Sequence, residues 1–159
     1  MRLDRSWIER NIPHRGRMCL LDEVIEWDAG HIRCRSSTHR RPDHPLRSQN
    51  RLRVVCGIEY AAQSMAVHGA LAGGAPAGLG AGPDVGFIRS EVGFLAGLRD
   101  VQLHVARLDD LHADLIADAE LIAGDHGSAL YEFVLTCDAR RLLSGRATVV
   151  FNANQRVNL

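Results

Sequence analysis

Apolar residues in Arg5-Ser6-Trp7-Ile8-Glu9-Arg10-Asn11-Ile12 recur at helical spacing and stop at Pro13, whose ring pushes the preceding residue out of the helical region. The pattern predicts a short leading helix. Leu20 to Trp27 and His31 to Ser37 read as strands joined by Asp28-Ala29-Gly30, residues suited to a hairpin turn. Residues 39–53 keep no period, hold Pro42 and Pro45 and are dense in arginine, which predicts an irregular segment of the kind that carries functional side chains. From Val54 to Leu71 the chain is apolar on nearly every side, as a helix enclosed by protein would be. Glu59, Gln63 and His68 inside that run favour a buried helix over a bilayer span. A glycine-rich connector over 73–83 follows. Strand-like runs then come at Val85 to Leu95, Val101 to Leu108, His112 to Ile122, Ser128 to Cys137 and Ser144 to Asn152, with a turn at Gly124-Asp125-His126-Gly127.

Helix, hairpin, one long apolar helix and then consecutive strands is an order without strand-helix alternation. It excludes a doubly wound sheet and predicts an α+β fold, an antiparallel sheet packed around one helix. At 159 residues the chain is expected to form one domain over 1–159. No repeat of fixed period is present, and the glycine-rich connector lacks the Lys-Ser/Thr ending and the strand-to-helix context of a phosphate-binding loop.

Hydrophobic content of 46% and charged content of 24% are ordinary for a folded globular protein. The N-terminus leads into an amphipathic stretch instead of a continuous apolar run, so neither signal peptide nor membrane span is expected and a cytoplasmic location follows. Cys19, Cys34, Cys56 and Cys137 lie far apart without metal-ligand spacing and are read as buried thiols; no metal or cofactor is expected. All 19 basic residues are arginine, and they are unevenly placed: residues 1–53 hold 12 Arg against 7 acidic residues, and residues 54–159 hold 7 against 12. A net charge of zero with 5% aromatic residues argues against a nucleic-acid partner, while the basic half could steer an acidic partner or a phosphate-bearing group.

Two residues stand out as candidate chemistry. A carboxylate inside an apolar helix is expensive unless paired, which singles out Glu59. Gly57, Ile58 and Glu59 fall near the start of that helix, where free N–H groups and the positive end of the dipole can hold an oxyanion such as a polarised thioester carbonyl. Upstream, Asp43-His44-Pro45 lies in the irregular segment, and the His44 imidazole suits proton abstraction near neutral pH. His14, His68, His104, His112 and His126 are read as packing, strand or turn residues.

Ile12-Pro13-His14-Arg15-Gly16-Arg17-Met18-Cys19-Leu20-Leu21-Asp22-Glu23-Val24 resembles the opening of the (3R)-hydroxyacyl-acyl carrier protein dehydratases of the FabZ type. Gly57-Ile58-Glu59-Tyr60-Ala61-Ala62-Gln63 is similar to that family's active-site helix, with Glu and Gln one turn apart. The resemblance implies a hot-dog fold, a curled antiparallel sheet around the central helix, acting as a dimer in which the histidine of one subunit meets the acidic residue of the other. Carried onto this sequence, His44 removes the α-proton, Glu59 serves the departing hydroxyl, the Gly57 N–H binds the thioester oxygen and Gln63 orients Glu59. An acyl carrier protein or coenzyme A thioester is the implied substrate. A surface from Arg40, Arg41, Arg47, Arg51 and Arg53 is the expected dock for an acidic carrier.

The sequence departs from that family where Gly-His-Phe-Pro-Gly is replaced by Asp43-His44-Pro45-Leu46-Arg47 and where the proline before the helix glycine becomes Cys56. Those changes resemble a divergent branch found with aryl-polyene pigment biosynthesis. Three functions stay open at this point: a dehydratase, a thioesterase on the same fold, or a non-catalytic subunit that pairs with an active homologue as a heterodimer instead of a homodimer.

Overall fold

The computed structural model describes residues 2–73 and 93–151. Helix α1 (Arg5–Asn11) is capped by Asp4, whose side chain accepts the Trp7 N–H at 3.1 Å, and it ends in an extended Ile12 just before Pro13, as the sequence pattern predicts. It buries Ile8. From α1 the Arg5 guanidinium reaches the Leu21 and Gly16 carbonyls and the Asp22 carboxylate, fastening the segment that carries His14.

The described residues form one six-stranded antiparallel sheet of β1 (Glu23–Trp27), β2 (His31–Ser36), β3 (Gly93–Leu103), β4 (Leu115–Gly124), β5 (Ser128–Cys137) and β6 (Arg140–Phe151). Their spatial order is β1-β2-β4-β5-β6-β3. Alternation puts Ile32 and Cys34 of β2, Leu115, Ala117 and Ala119 of β4, and Tyr131, Phe133 and Leu135 of β5 on the buried face. On the opposite face cross-strand ion pairs run Glu23–Arg35–Asp114–Arg40 and Glu26–Arg33–Asp118. Against the buried face lies helix α2 (Gly57–Gly73), which gives the hot-dog arrangement of one long helix packed on a single antiparallel sheet.

Three features place α2. A β-carbon at Gly57 would fall among the methyl groups of Leu143 and Leu135, so only glycine lets the helix start approach β5 and β6 this closely. Tyr60, Ser64 and His68, four residues apart, form a buried polar row along the helix. The His68 ring bonds the Tyr131 hydroxyl at 2.8 Å and the Asp28 carbonyl at 2.9 Å. Because a carbonyl only accepts, Nε2 carries the proton and Nδ1 accepts from Tyr131.

Several sequence expectations need correction. Val101 to Leu108 does not form its own strand: β3 runs unbroken from Gly93 to Leu103, and a bulge with Asp100 at φ 53° absorbs the apparent break. Residues 85–92 of the expected preceding strand, and the connector beyond Gly73, lie outside the described residues. Strand β4 begins at Leu115, not His112. Strand β6 begins at Arg140, not Ser144, because Asp138 and Ala139 both adopt positive φ and close a two-residue hairpin directly after β5. Cys19, Cys34 and Cys137 are buried thiols, whereas Cys56 is half-buried.

Candidate active site

Glu59 stands in the first turn of α2 with its side chain about one-third exposed (32%). Two partners fix it. His14 Nε2 lies 3.1 Å from Oε1, and the Gln63 amide donates to the same oxygen at 3.1 Å. Gln63 is itself held at both ends, accepting from the Leu20 N–H at 2.9 Å and donating to the Met18 carbonyl at 2.8 Å. The Leu20 N–H can only donate, which sets the amide orientation and aims its NH2 at Glu59. Burial by itself raises the Glu59 carboxyl; the hydrogen bonds from His14 and Gln63, with the His14 charge, outweigh it and hold the group below the usual carboxylate range.

His44 is buried, 5% exposed, and is bonded elsewhere. The Leu46 N–H donates to its Nδ1 at 3.1 Å, and its Nε2 meets the Tyr60 hydroxyl at 2.9 Å. Tyr60 continues to Thr38 Oγ1 at 2.8 Å, and Thr38 donates to the Leu20 carbonyl at 2.8 Å. Burial, then the charges of Arg47, His39 and Arg41 against an opposing Asp43, push the His44 imidazole down to about 4. Successive positions on a helix point about 100° apart, so Glu59 and Tyr60 face different ways and the chain does not hydrogen-bond His44 to its own Glu59.

The remaining expected residues divide. The Gly57 N–H is already given to the Val54 and Val55 carbonyls of a 3-10 turn over Val54–Cys56, a turn that the expected start of the helix at Val54 overlooks. Ile58 packs half-buried against the core. Of the five arginines, Arg40 is tied to Asp114 at 2.6 Å and to the His112 carbonyl, which removes it from any open patch. Arg41, Arg51 and Arg53 are exposed and make no ion pair among the described residues, and half-buried Arg47 reaches only Asn50, at 3.5 Å. Arg17 joins this rim through the Asp43 carbonyl. No group of His, Cys, Asp and Glu among the described residues is placed to hold a metal ion, and no helix there is long and apolar enough to cross a membrane.

His14 is the functional candidate that residue-by-residue reading passes over. Its signal was available: it directly follows the Pro13 helix stop, inside the stretch that carries the family resemblance.

A family model described as ApeP-like, ApeP dehydratase, matches residues 6–158. Among solved structures, the dehydratase heterocomplex ApeI:P from Xenorhabdus doucetiae is similar with a TM-score of 0.75 at 24% identity, over 96% of this chain and 97% of that one. A thioesterase, PA1618, from Pseudomonas aeruginosa has a TM-score of 0.52 at 9% identity over 81% and 79% of the two chains. A hypothetical thioesterase from Streptococcus pneumoniae solved with coenzyme A has 0.53 at 12% identity over 82% and 84%. At these identities the structures share the fold. No curated protein matches the chain in sequence. Because the family model spans nearly the whole sequence, the chain belongs to the ApeP-like dehydratases, a divergent aryl-polyene-type branch of the hot-dog dehydratases.

Proposed function

We propose that the chain acts in the removal of water from a 3-hydroxyacyl thioester, giving the 2-enoyl thioester, and that Glu59 is the group it brings to the departing hydroxyl. The observation that carries this reading is a partly open carboxylate at the head of the central helix, aligned from two sides by His14 and Gln63. Elimination needs a base for the α-proton and a proton for the hydroxyl leaving from the β-carbon. The base takes the α-proton, the C–H electron pair becomes the new double bond, and the C–O bond breaks. When His14 is protonated, the His14–Glu59 pair carries the proton with which the hydroxyl leaves as water.

The base comes across a subunit boundary in this reading. Among the described residues strand β3 is a sheet edge with all eleven residues exposed, including Phe94, Leu95, Leu98, Val101 and Leu103, and it supports association with a second hot-dog subunit. The ApeI:P complex, whose name describes a heterocomplex, supports a related but different partner. Arg17, Arg41, Arg47, Arg51 and Arg53 would receive the acidic carrier or the phosphate of its thioester arm.

The test is conversion of a 3-hydroxyacyl thioester to the enoyl product by the assembled protein, followed by absorbance of the conjugated thioester. Glu59→Gln should lower turnover about 10²–10⁴-fold, the usual contribution of a positioned acid or base, and raising salt should weaken a carrier-bound substrate more than a short-chain analogue. Full activity in Glu59→Gln, or release of free thiol without any enoyl product, would refute the assignment, the second outcome favouring thioester hydrolysis.

A further inference from the structure

We infer that His44 is a hydrogen-bond donor locked into the core and not the base of the elimination, so that the working imidazole comes from a non-identical subunit of the same fold. The inference rests on the dehydratase reading above and specifies which half of the site this chain supplies.

The direction of each hydrogen bond is fixed by its neighbours. A backbone N–H can only donate, so the Leu46 N–H at 3.1 Å makes His44 Nδ1 an acceptor. The neutral ring then carries its proton on Nε2, which donates to the Tyr60 oxygen at 2.9 Å. Having accepted that hydrogen bond, the Tyr60 hydroxyl donates its own to Thr38 Oγ1 at 2.8 Å, and the Thr38 hydroxyl donates to the Leu20 carbonyl at 2.8 Å. Every donor in this chain is used and it ends on a carbonyl that Ser36 also occupies.

A base needs one bare nitrogen facing substrate. His44 has none: one lone pair is filled by Leu46, and the other nitrogen bears a proton pointed inward at a tyrosine that is 0% exposed. Taking up a proton would place an N–H against the Leu46 N–H in a site closed to water, a buried mismatch with no compensating partner. Burial and the nearby arginines act in the same direction, keeping the ring neutral.

If two copies of this chain paired, both carboxylates would face idle imidazoles. Pairing with a related subunit that keeps a free histidine produces one working site, built from that histidine and this chain's Glu59. The converse site, built from His44 and the partner's carboxylate, stays silent.

The experiment is ¹⁵N NMR of the full-length protein labelled at histidine, together with turnover by mixed complexes. His44 should show the Nε2–H tautomer and no titration between about pH 5.5 and 8, where an ordinary histidine titrates. His44→Asn, whose side-chain oxygen still accepts from Leu46, should retain elimination activity within about tenfold, less than the 10²–10⁴-fold loss expected for a removed base. The chain alone should be inactive and should gain activity on mixing with its partner subunit. A His44 ring in the Nδ1–H tautomer, or one titrating near neutrality, overturns the inference, and this readout decides even if His44→Asn fails to fold. So does His44-dependent turnover by the chain alone. Activity that survives in Glu59→Gln would instead remove the dehydratase reading while leaving the tautomer result standing.

Discussion

Glu59 is set by a contest between enclosure and donation. Burial favours the proton-holding carboxyl, and the His14 and Gln63 hydrogen bonds favour the anion; here the donors win. In His14→Ala only burial and Gln63 remain, so the Glu59 carboxyl should titrate at higher pH than in the parent protein. A ¹³C NMR titration of the glutamate carboxyls reads this directly, and an unmoved Glu59 resonance would show that His14 does not act on it. Gln63 contributes differently. Its amide ties the carboxylate to the Met18 and Leu20 backbone, so the segment that presents His14 and the helix that presents Glu59 hold a common register.

At the scale of elements, the approach to α2 is secured by Asp109. Its side chain, 5% exposed, accepts the Leu52 N–H at 2.8 Å and the Arg107 guanidinium, and Arg107 holds the carboxyl well below the usual carboxylate range. A carboxyl depressed by folding contributes stability that is present above its unfolded value and is lost as pH falls through its folded value. Asp109→Asn should therefore cost about 1.5–3 kcal/mol near neutral pH, the range for a hydrogen bond to a charged group, and the penalty should shrink in strong acid. Urea unfolding at both pH values checks it; equal penalties would mean that the charge of Asp109 does not matter. The elements themselves were unevenly legible. Helices α1 and α2 could be read because helical apolar spacing, a proline stop and a long apolar run act locally. The β5–β6 hairpin could not, because Asp138 and Ala139 take left-handed backbone where a glycine or asparagine signal is usual. The site was half legible: Glu59 and Gln63 declare themselves one turn apart on a helix. The bonding of His14 and His44 depends on which loop backbone reaches which ring nitrogen, and no spacing in the sequence encodes that.

For the whole molecule, the proposed association with a second subunit turns on the exposed strand β3. Among the described residues β3 is paired on one side only, by β6, and it exposes five large apolar side chains, a surface suited to a second sheet edge. Leu98→Arg, at a site 39% exposed, should leave the melting of the isolated chain nearly unchanged and weaken assembly with the partner, as measured by sedimentation velocity. Unaltered assembly would place the interface elsewhere. The buried row of Tyr60, Ser64 and His68 has a wider reach. Tyr60 is matched to Thr38 and His68 to Tyr131 and the Asp28 carbonyl, while Ser64 between them bonds back to the Tyr60 carbonyl of its own helix, so α2 can neither roll nor slip by a residue without orphaning Tyr60 and His68 together. The aim of the Glu59 carboxylate at the head of α2 is thus inherited from the far end of the same rod, where His68 and Tyr131 hold the helix without touching Glu59.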